Sequence, residues 1–473
     1  MNLIRFVSSF LVLVFLAPAS YSAFAAPHAP QFPTRAPHAP TVLTFTVNSS
    51  ADEADANPGN GKCASTPSKK CTLRAAIMEN NALGGGNTIV LPAGAYLLAI
   101  NGVNEDASAT GDLDILHSVN LQGSHAPTTI VDAQGVDRVL DVRAGSAVIS
   151  GVTIRGGYLV NDYGGGIAIQ SGAKAKLRNS ILTNNHSTVE GGAIENLGKL
   201  TIVQSTLGPY NSATNGGGGI GNSGILKLVR TRLTENHVVG VVPNRIGGAV
   251  LNVGSSVVIL QSTLDNNRAD HGAGLYNAGG GSVTMVNSTV ANNHYDSTSS
   301  NASDGAGIYN YQAQLNLYNV TLADNISGLN AQTGGLYNAG GANAYNSILD
   351  RNLVLVNPNL QIYAAADCYG PLSGILNVKF YNLIYAPVNC NYGPDPSVQT
   401  NVHANLGALQ NNGGFTPTEA LLASSPAIDT GNPKGCKDSN GNVLPNDQRN
   451  APRPTDGDGN GKARCDRGAY EYP

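Results

Sequence analysis

The chain has 473 residues, 12% of them charged, a formal net charge of −4 at pH 7, 57 glycines, 24 prolines and no tryptophan. So weak and slightly negative a charge gives no electrostatic footprint for nucleic acid, which excludes that class of partner. A chain this rich in glycine and poor in charge suits many tight turns and stacked polar side chains better than helices, and its length fits one elongated repeat as well as several globules.

Residues 1–25 have the layout of a secretory signal peptide: Arg5 supplies positive charge, Phe6 to Leu16 form an apolar run, and Ala23-Phe24-Ala25 offers small residues for cleavage. That run is too short for a permanent membrane span, and nowhere downstream are there about 18 consecutive apolar residues. The mature chain is therefore expected to carry no transmembrane segment and to be secreted or held at the cell surface, as a monomer. Residues 26–43, with Ala-Pro-His-Ala-Pro twice, read as an extended spacer. The six cysteines, Cys63, Cys71, Cys368, Cys390, Cys436 and Cys465, are an even set suited to an oxidising compartment. Sequential pairing is the simplest of the many connectivities they allow, and none has zinc-site spacing.

Residues 44–86 are expected to form an N-terminal cap and residues 87–355 a solenoid. Its first strands are predicted at Thr88–Leu91, Ala95–Ile100, Val119–Leu121, Thr129–Val131 and Val148–Ile154. From Asp162 to Asn352 two patterns alternate. The first is a glycine pair and an apolar residue, as in Gly164-Gly-Gly-Ile167, Gly191-Gly-Ala-Ile194 and Gly247-Gly-Ala-Val250, recurring every 25 to 33 residues. Two places after its apolar residue comes a column of Asn196, Asn222, Asn252, Asn277, Asn310 and Asn338, with Ile169 the exception. The second is apolar-x-x-Asn, as in Leu182 with Asn185 and Leu264 with Asn267; around Leu207 it slips, placing Asn211 one residue late. Between them Leu200-Thr-Ile202, Leu226-Lys-Leu228, Val258-Ile-Leu260, Val283-Thr-Met285 and Leu315-Asn-Leu317 alternate at period two, as half-buried strands do.

Stacked at about 4.8 Å, such coils place like residues above like. Apolar columns then make one core, and an Asn at the same bend of each coil bonds backbone and the next amide. The expectation is an all-β, right-handed parallel β-helix with small disulfide-containing N- and C-terminal segments. A leucine-rich repeat fits less well, because the segments between strands are poor in helix formers. Residues 356–408 are expected to extend the solenoid around a disulfide, and residues 409–473 to form a C-terminal domain.

Three resemblances follow. The alternation of Gly-Gly-Ala-Ile with apolar-x-x-Asn resembles the repeats of chlamydial polymorphic outer membrane proteins, with Leu or Val here in place of the usual Phe. Those are autotransporters with adhesive passengers, and the resemblance is to the passenger-like part alone. Cys71-Thr-Leu-Arg-Ala-Ala-Ile77, preceded by Phe45-Thr-Val-Asn, resembles the CSLREA domain of exported bacterial proteins, with Thr72 for Ser and Ala75 for Glu. Asn411-Asn-Gly-Gly-Phe-Thr-Pro-Thr, Ser425-Pro-Ala-Ile-Asp429, Asp447-Gln-Arg-Asn-Ala-Pro-Arg-Pro454 and Cys465-Asp-Arg-Gly-Ala-Tyr-Glu471 resemble the choice-of-anchor Q domain. The resemblances imply a bacterial surface or secreted β-helix protein and transfer no catalytic residue.

Chemistry on such a fold needs carboxylates on neighbouring coils, to hold calcium or to act as acid and base. Before the glycine element, adjacent coils offer Arg245, Asp270 with His271, and Asp304, with Glu190 earlier. Stacked, Asp270 and Asp304 would lie close enough to raise a pKa or recruit a cation, with Arg245 for a uronate. The plainer reading makes these solvated turn residues, and it is preferred. His186, His237 and His294 recur at every other coil, with Arg268 between. Successive members lie about 10 Å apart, too far to share a metal. Near the end, Asp456, Asp458 and Asn460 alternate before Gly461 as calcium loops do, with Asp466 a further ligand candidate because Arg467 stands where a bidentate Glu would be. Calcium is thus the one cofactor the sequence suggests. The expected function is a non-catalytic, adhesin-like or glycan-binding surface solenoid; the alternative is a lyase or glycoside hydrolase acting on acidic polysaccharide through the Arg245 cluster.

Overall fold

The computed structural model describes residues 42–473 except 104, 241–244, 297–302, 372–374, 379 and 391–394. The expected signal peptide and all but the last two spacer residues lie outside the described residues. Val42–Pro473 forms one compact unit, an all-β parallel β-helix. Each coil contributes a short strand to each of three faces. Face one stacks Leu113–Ile115, Leu140–Val142, Ile167–Ile169, Ile194–Asn196, Ile220–Asn222 and onward. Face two stacks Val119–Gly123, Ser146–Ser150, Lys174–Arg178, Lys199–Val203 and onward. Face three stacks Thr129–Asp132, Thr153–Arg155, Ile181–Thr183, Thr206–Leu207 and onward. A fourth, narrow ribbon stacks Tyr158–Leu159, His186–Ser187, Ser212–Ala213 and His237–Val238. Later coils straighten until Ile308–Ala323 runs through all three faces as one strand.

Why the chain turns at these corners is visible in the backbone. The residue before each second-pattern Asn is left-handed: Asn184, Glu235, Asn266, Asn292 and Asp324 have φ between 52° and 56°. One such residue per corner redirects the strand, and short polar side chains tolerate it best. Inward positions then stack into columns, such as Ile154, Leu182, Leu207, Leu233, Leu264 and Val290, all essentially inaccessible to solvent.

Both asparagine columns are hydrogen-bonded ladders. Asn196 Nδ2 donates to Asn222 Oδ1 (2.7 Å), and the chain continues through Asn252, Asn277 and Asn310 to Asn338 at 2.7–2.8 Å. The second runs Asn185, Asn211, Asn236, Asn267, Asn293, Asn325, Asn352. Asn211 keeps its rung although it comes one residue late, because the corner Gly208-Pro209-Tyr210 absorbs the extra residue while Leu207 stays beneath Leu233.

Several expectations shift. In Ser256–Leu260 the inward residues are Val257 and Ile259, not Val258 and Leu260. That strand is apolar on both faces, so the register is set by Leu226 and Leu228 beneath it. The sheet also begins earlier than Asn87: Thr44–Thr46 pairs in parallel with Thr88–Val90. Helix α1 (Leu73–Ala82), capped by the Thr72 hydroxyl, buries Leu73, Ala76 and Ile77 against the first coils. The disulfides pair sequentially: Cys63–Cys71, Cys368–Cys390 and Cys436–Cys465.

The C-terminal segment folds back along face three as a strap. Thr263 Oγ1 donates to the Pro417 carbonyl (2.6 Å), Thr289 Oγ1 to Gln448 Oε1 (2.7 Å), and Asn346 Nδ2 to the Asp466 carbonyl (2.7 Å). Arg467 Nη1 reaches the Asn382 carbonyl at 2.7 Å. Within the strap, buried Arg453 pairs with Glu471 at 2.6 Å and donates to Asn287 Oδ1 at 3.2 Å. Gln448, Arg453 and Glu471 all belong to the C-terminal motifs quoted above, so here those motifs fasten the strap.

Candidate functional site

The strap covers the later coils of face three and does not run along face one. The middle residue of each face-one strand points outward, in the register Asp114, Asp141, Ala168, Glu195, Gly221. Farther along, the same column becomes Tyr276, Tyr309, Tyr337 and Tyr369, with neighbouring ring centroids 4.4–5.7 Å apart. The face is thus acidic toward its N-terminal end and aromatic toward the other.

At the acidic end Asp112, Asp114 and Asp141 are all buried, with a carboxylate oxygen from each within 4.8 Å of the others. Arg138 Nη1 is 3.3 Å from Asp112 and 3.4 Å from Asp141, and Arg143 Nη1 is 3.0 Å from Asp141. Gln170 Nε2 donates to both oxygens of Asp141 (3.0 and 3.1 Å). Burial raises the Asp112 carboxyl to about 8; Arg138 opposes this and neighbouring carboxylates add to it. Asp114 is raised to about 7, again chiefly by burial.

Two coils on, Glu195 is raised to about 8 by burial, aided by Glu190, and its Oε2 has no hydrogen-bond partner. Glycine at 221 makes room for it, since a Cβ there would sit 2.1 Å from Oε2. Folding lifts Glu195 from its ordinary 4.5 to about 8, so the folded chain binds more protons than the unfolded one between those values. Stability contributed by this group is therefore present at low pH and lost as pH rises through that window. Glu195→Gln is expected to melt above wild type near pH 9 and to converge with it near pH 4. Equal melting differences at both ends would contradict a buried, protonated Glu195.

A hollow of about 720 Å³ opens over the acidic end, lined by Asp112, Asp137, Arg138, Arg143 and Tyr158 among others. A second, of about 300 Å³, is lined by Tyr163, Glu190 and Glu195, and shares Arg138, Asp162 and Gln170 with the first. Tyr158 (48% exposed) and Tyr163 (45%) stand at the margins. Together they form a groove along face one.

The sequence-derived candidates lie elsewhere. Arg245 and Asp270 are not solvated turn residues: they are 3% and 1% exposed, and Arg245 Nε meets Asp270 Oδ2 at 2.9 Å. Arg245 also pairs with buried Asp296, which His237 Nε2 approaches at 3.1 Å. Asp304 does lie one coil from His271, its backbone N–H donating to His271 Nδ1 (3.2 Å). Asp270 and Asp304 form no acid pair, because Asp270 is engaged by Arg245 while Asp304 accepts from the Gln332 backbone. The histidine column has the expected register, His186, Ser212, His237, Arg268, His294. Burial holds His186 and His294 below the ordinary imidazole value, with Arg268 adding to the effect at His294.

At the chain end Asp456 and Asp458 converge with Asp429 rather than with Asp466. Asn460 closes the turn by donating from its backbone to Asp456 and Asp458. Asp466 is instead a buried strap residue, accepting from the Asp429 and Tyr472 backbones.

The residues the sequence reading passed over are Asp112, Asp114, Asp141 and Glu195. For the last three the signal was present: Leu113-Asp-Ile115, Leu140-Asp-Val142 and Ile194-Glu-Asn196 each set one carboxylate between two inward residues at period two.

No family model matches the chain, and no curated protein matches it in sequence. The three family resemblances therefore rest on the quoted residues alone. Among solved structures, the crystal structure of pectate lyase Pel9A is similar, with a TM-score of 0.45 and 13% identity over 91% of this chain and 96% of that one. At that level the likeness carries no chemistry across.

Proposed function

We propose that this chain is an extracellular glycan-binding solenoid that holds an oligosaccharide in the face-one groove. Three disulfides suit an oxidising compartment, and among the described residues no helix is long and apolar enough to cross a membrane. The observation that carries the reading is a pair of half-exposed tyrosines, Tyr158 and Tyr163, beside hollows floored by carboxylates, Arg138, Arg143 and Gln170. Such a groove offers ring faces to the apolar side of a sugar and fixed acceptors and donors to its hydroxyls. Its excess of carboxylates over arginines favours neutral or amino sugars over uronates.

Titration calorimetry against a panel of neutral, amino and acidic oligosaccharides tests this. Tyr158→Ala with Tyr163→Ala is expected to weaken binding by more than about 10-fold, with an unchanged circular dichroism spectrum. Binding that survives the double substitution would place the ligand elsewhere.

A second reading is favoured by Glu195 alone. A carboxyl held protonated near neutral pH, on a residue that lines a hollow, is suited to general acid catalysis. If the groove cleaves glycosidic bonds, Glu195→Gln abolishes release of reducing ends and leaves binding intact. Binding with no cleavage by wild type leaves the first reading.

A further inference from the structure

We propose that Asp112, Asp114 and Asp141 hold a calcium ion at the acidic end of the groove. Asp114 and Asp141 are direct register partners on neighbouring strands and point outward from the same face. Asp112 closes the triangle from the turn before, bringing three ligand oxygens within 4.8 Å of one another. A second observation points to a ligand. Asp114 is wholly buried; its Oδ2 accepts from the Ser108 backbone (2.9 Å), but its Oδ1 has no hydrogen-bond partner. An orphaned, buried carboxylate oxygen costs stability unless something positive meets it.

Neither nearby arginine meets that oxygen: Arg138 Nη1 bridges Asp112 and Asp141 at 3.3 and 3.4 Å, and its Nη2 bonds Asp162 and the Tyr163 carbonyl, both at 2.9 Å. Arg143 is shared between Asp141 and Asp106. Three hard oxygen donors of this kind select calcium over softer metals, and flexible coordination lets water fill the remaining positions where magnesium would demand a stricter shell. Asp112 and Asp141 line the 720 Å³ hollow, which gives the ion a way in. The group of buried Asp429 with exposed Asp456 and Asp458 has no comparable orphaned oxygen and serves here as the control. The inference does not depend on the glycan reading, and calcium uptake is measured without any sugar.

Calcium chloride titrated calorimetrically into the purified, chelator-treated chain is expected to show an equivalent that persists in Asp456→Asn/Asp458→Asn. Asp114→Asn and Asp141→Asn are each expected to weaken it by more than about 10-fold, since losing even an outer-shell partner typically costs that much. Both substitutions are isosteric, and melting in calcium-free buffer checks that the variants fold. Should Asp114→Asn fail to fold, Asp112→Asn at the groove wall reads the same loss. No uptake by wild type, uptake that survives in the folded Asp variants, or uptake that vanishes in the C-terminal pair overturns the assignment.

Discussion

Arg245→Met is expected to lower the stability of the folded chain by about 3–5 kcal/mol, read as a shift in urea midpoint, because it strands buried charge. Asp270 and Asp296 both face the Arg245 guanidinium, and all three side chains are almost wholly removed from solvent. Methionine keeps most of the volume, so the loss reports charge rather than a cavity. A change below about 1 kcal/mol would be the signature of an exposed pair and would return these residues to the surface. The result also redefines what substitution in this cluster can say about function. Changing Arg245, Asp270, His271 and Asp304 to alanine together would disorganise a coil, so lost binding in that variant would not locate a ligand there.

Asn267→Asp is expected to destabilise more than Asn267→Ala, although aspartate is the closer mimic in shape. Asn267 Oδ1 accepts from the backbone and side-chain nitrogens of Asn236, while its Nδ2 donates to the Leu233 carbonyl and to Asn293 Oδ1. Alanine abandons these bonds at about 2–3 kcal/mol. Aspartate keeps the acceptor but turns a second oxygen toward two oxygens and buries a charge, which should bring the loss to more than about 3 kcal/mol at neutral pH. The difference should shrink on acidification, because the folded state would hold that carboxyl protonated above its ordinary pKa and gain stability as pH falls. The native chain shows where a carboxylate is tolerated: the ladder ends on Asp367, which accepts from Asn352 and Ala386 and has no rung beyond to supply. Burial raises Asp367 to about 6. If Asn267→Asp is milder than Asn267→Ala at pH 7, donation along the ladder is not what holds it together.

The parts of this molecule that repeat were legible, because stacking forces the same residue into the same place. Both asparagine ladders, the inward columns and the histidine register could be read from spacing alone. What failed was information that does not repeat. Ser256–Leu260 has no alternation, so its register belongs to its neighbours. The first coils place Asp137-Arg138-Val139 where later coils carry the glycine element, so Asp141 lacks the glycine signature that marks its column elsewhere. Asp296, the partner that makes Arg245 structural, comes from an insertion off the regular coil. The strap has little periodicity of its own. Its docking residues became recognisable only once Thr263, Thr289 and Asn346 were seen to meet them.

The strap also changes how the array should come apart. A stack whose coils touch only their neighbours behaves as a linear chain of weakly coupled units, and it frays from its ends. Here the strap's side of the fold ties the coils from Arg230 to Asn382 to one continuous segment. Those coils should therefore melt together in a single calorimetric transition. The coils carrying Asp112, Asp141 and Glu195 lie outside that brace, so hydrogen exchange should find their amides opening first, and a ligand in the groove should slow that opening.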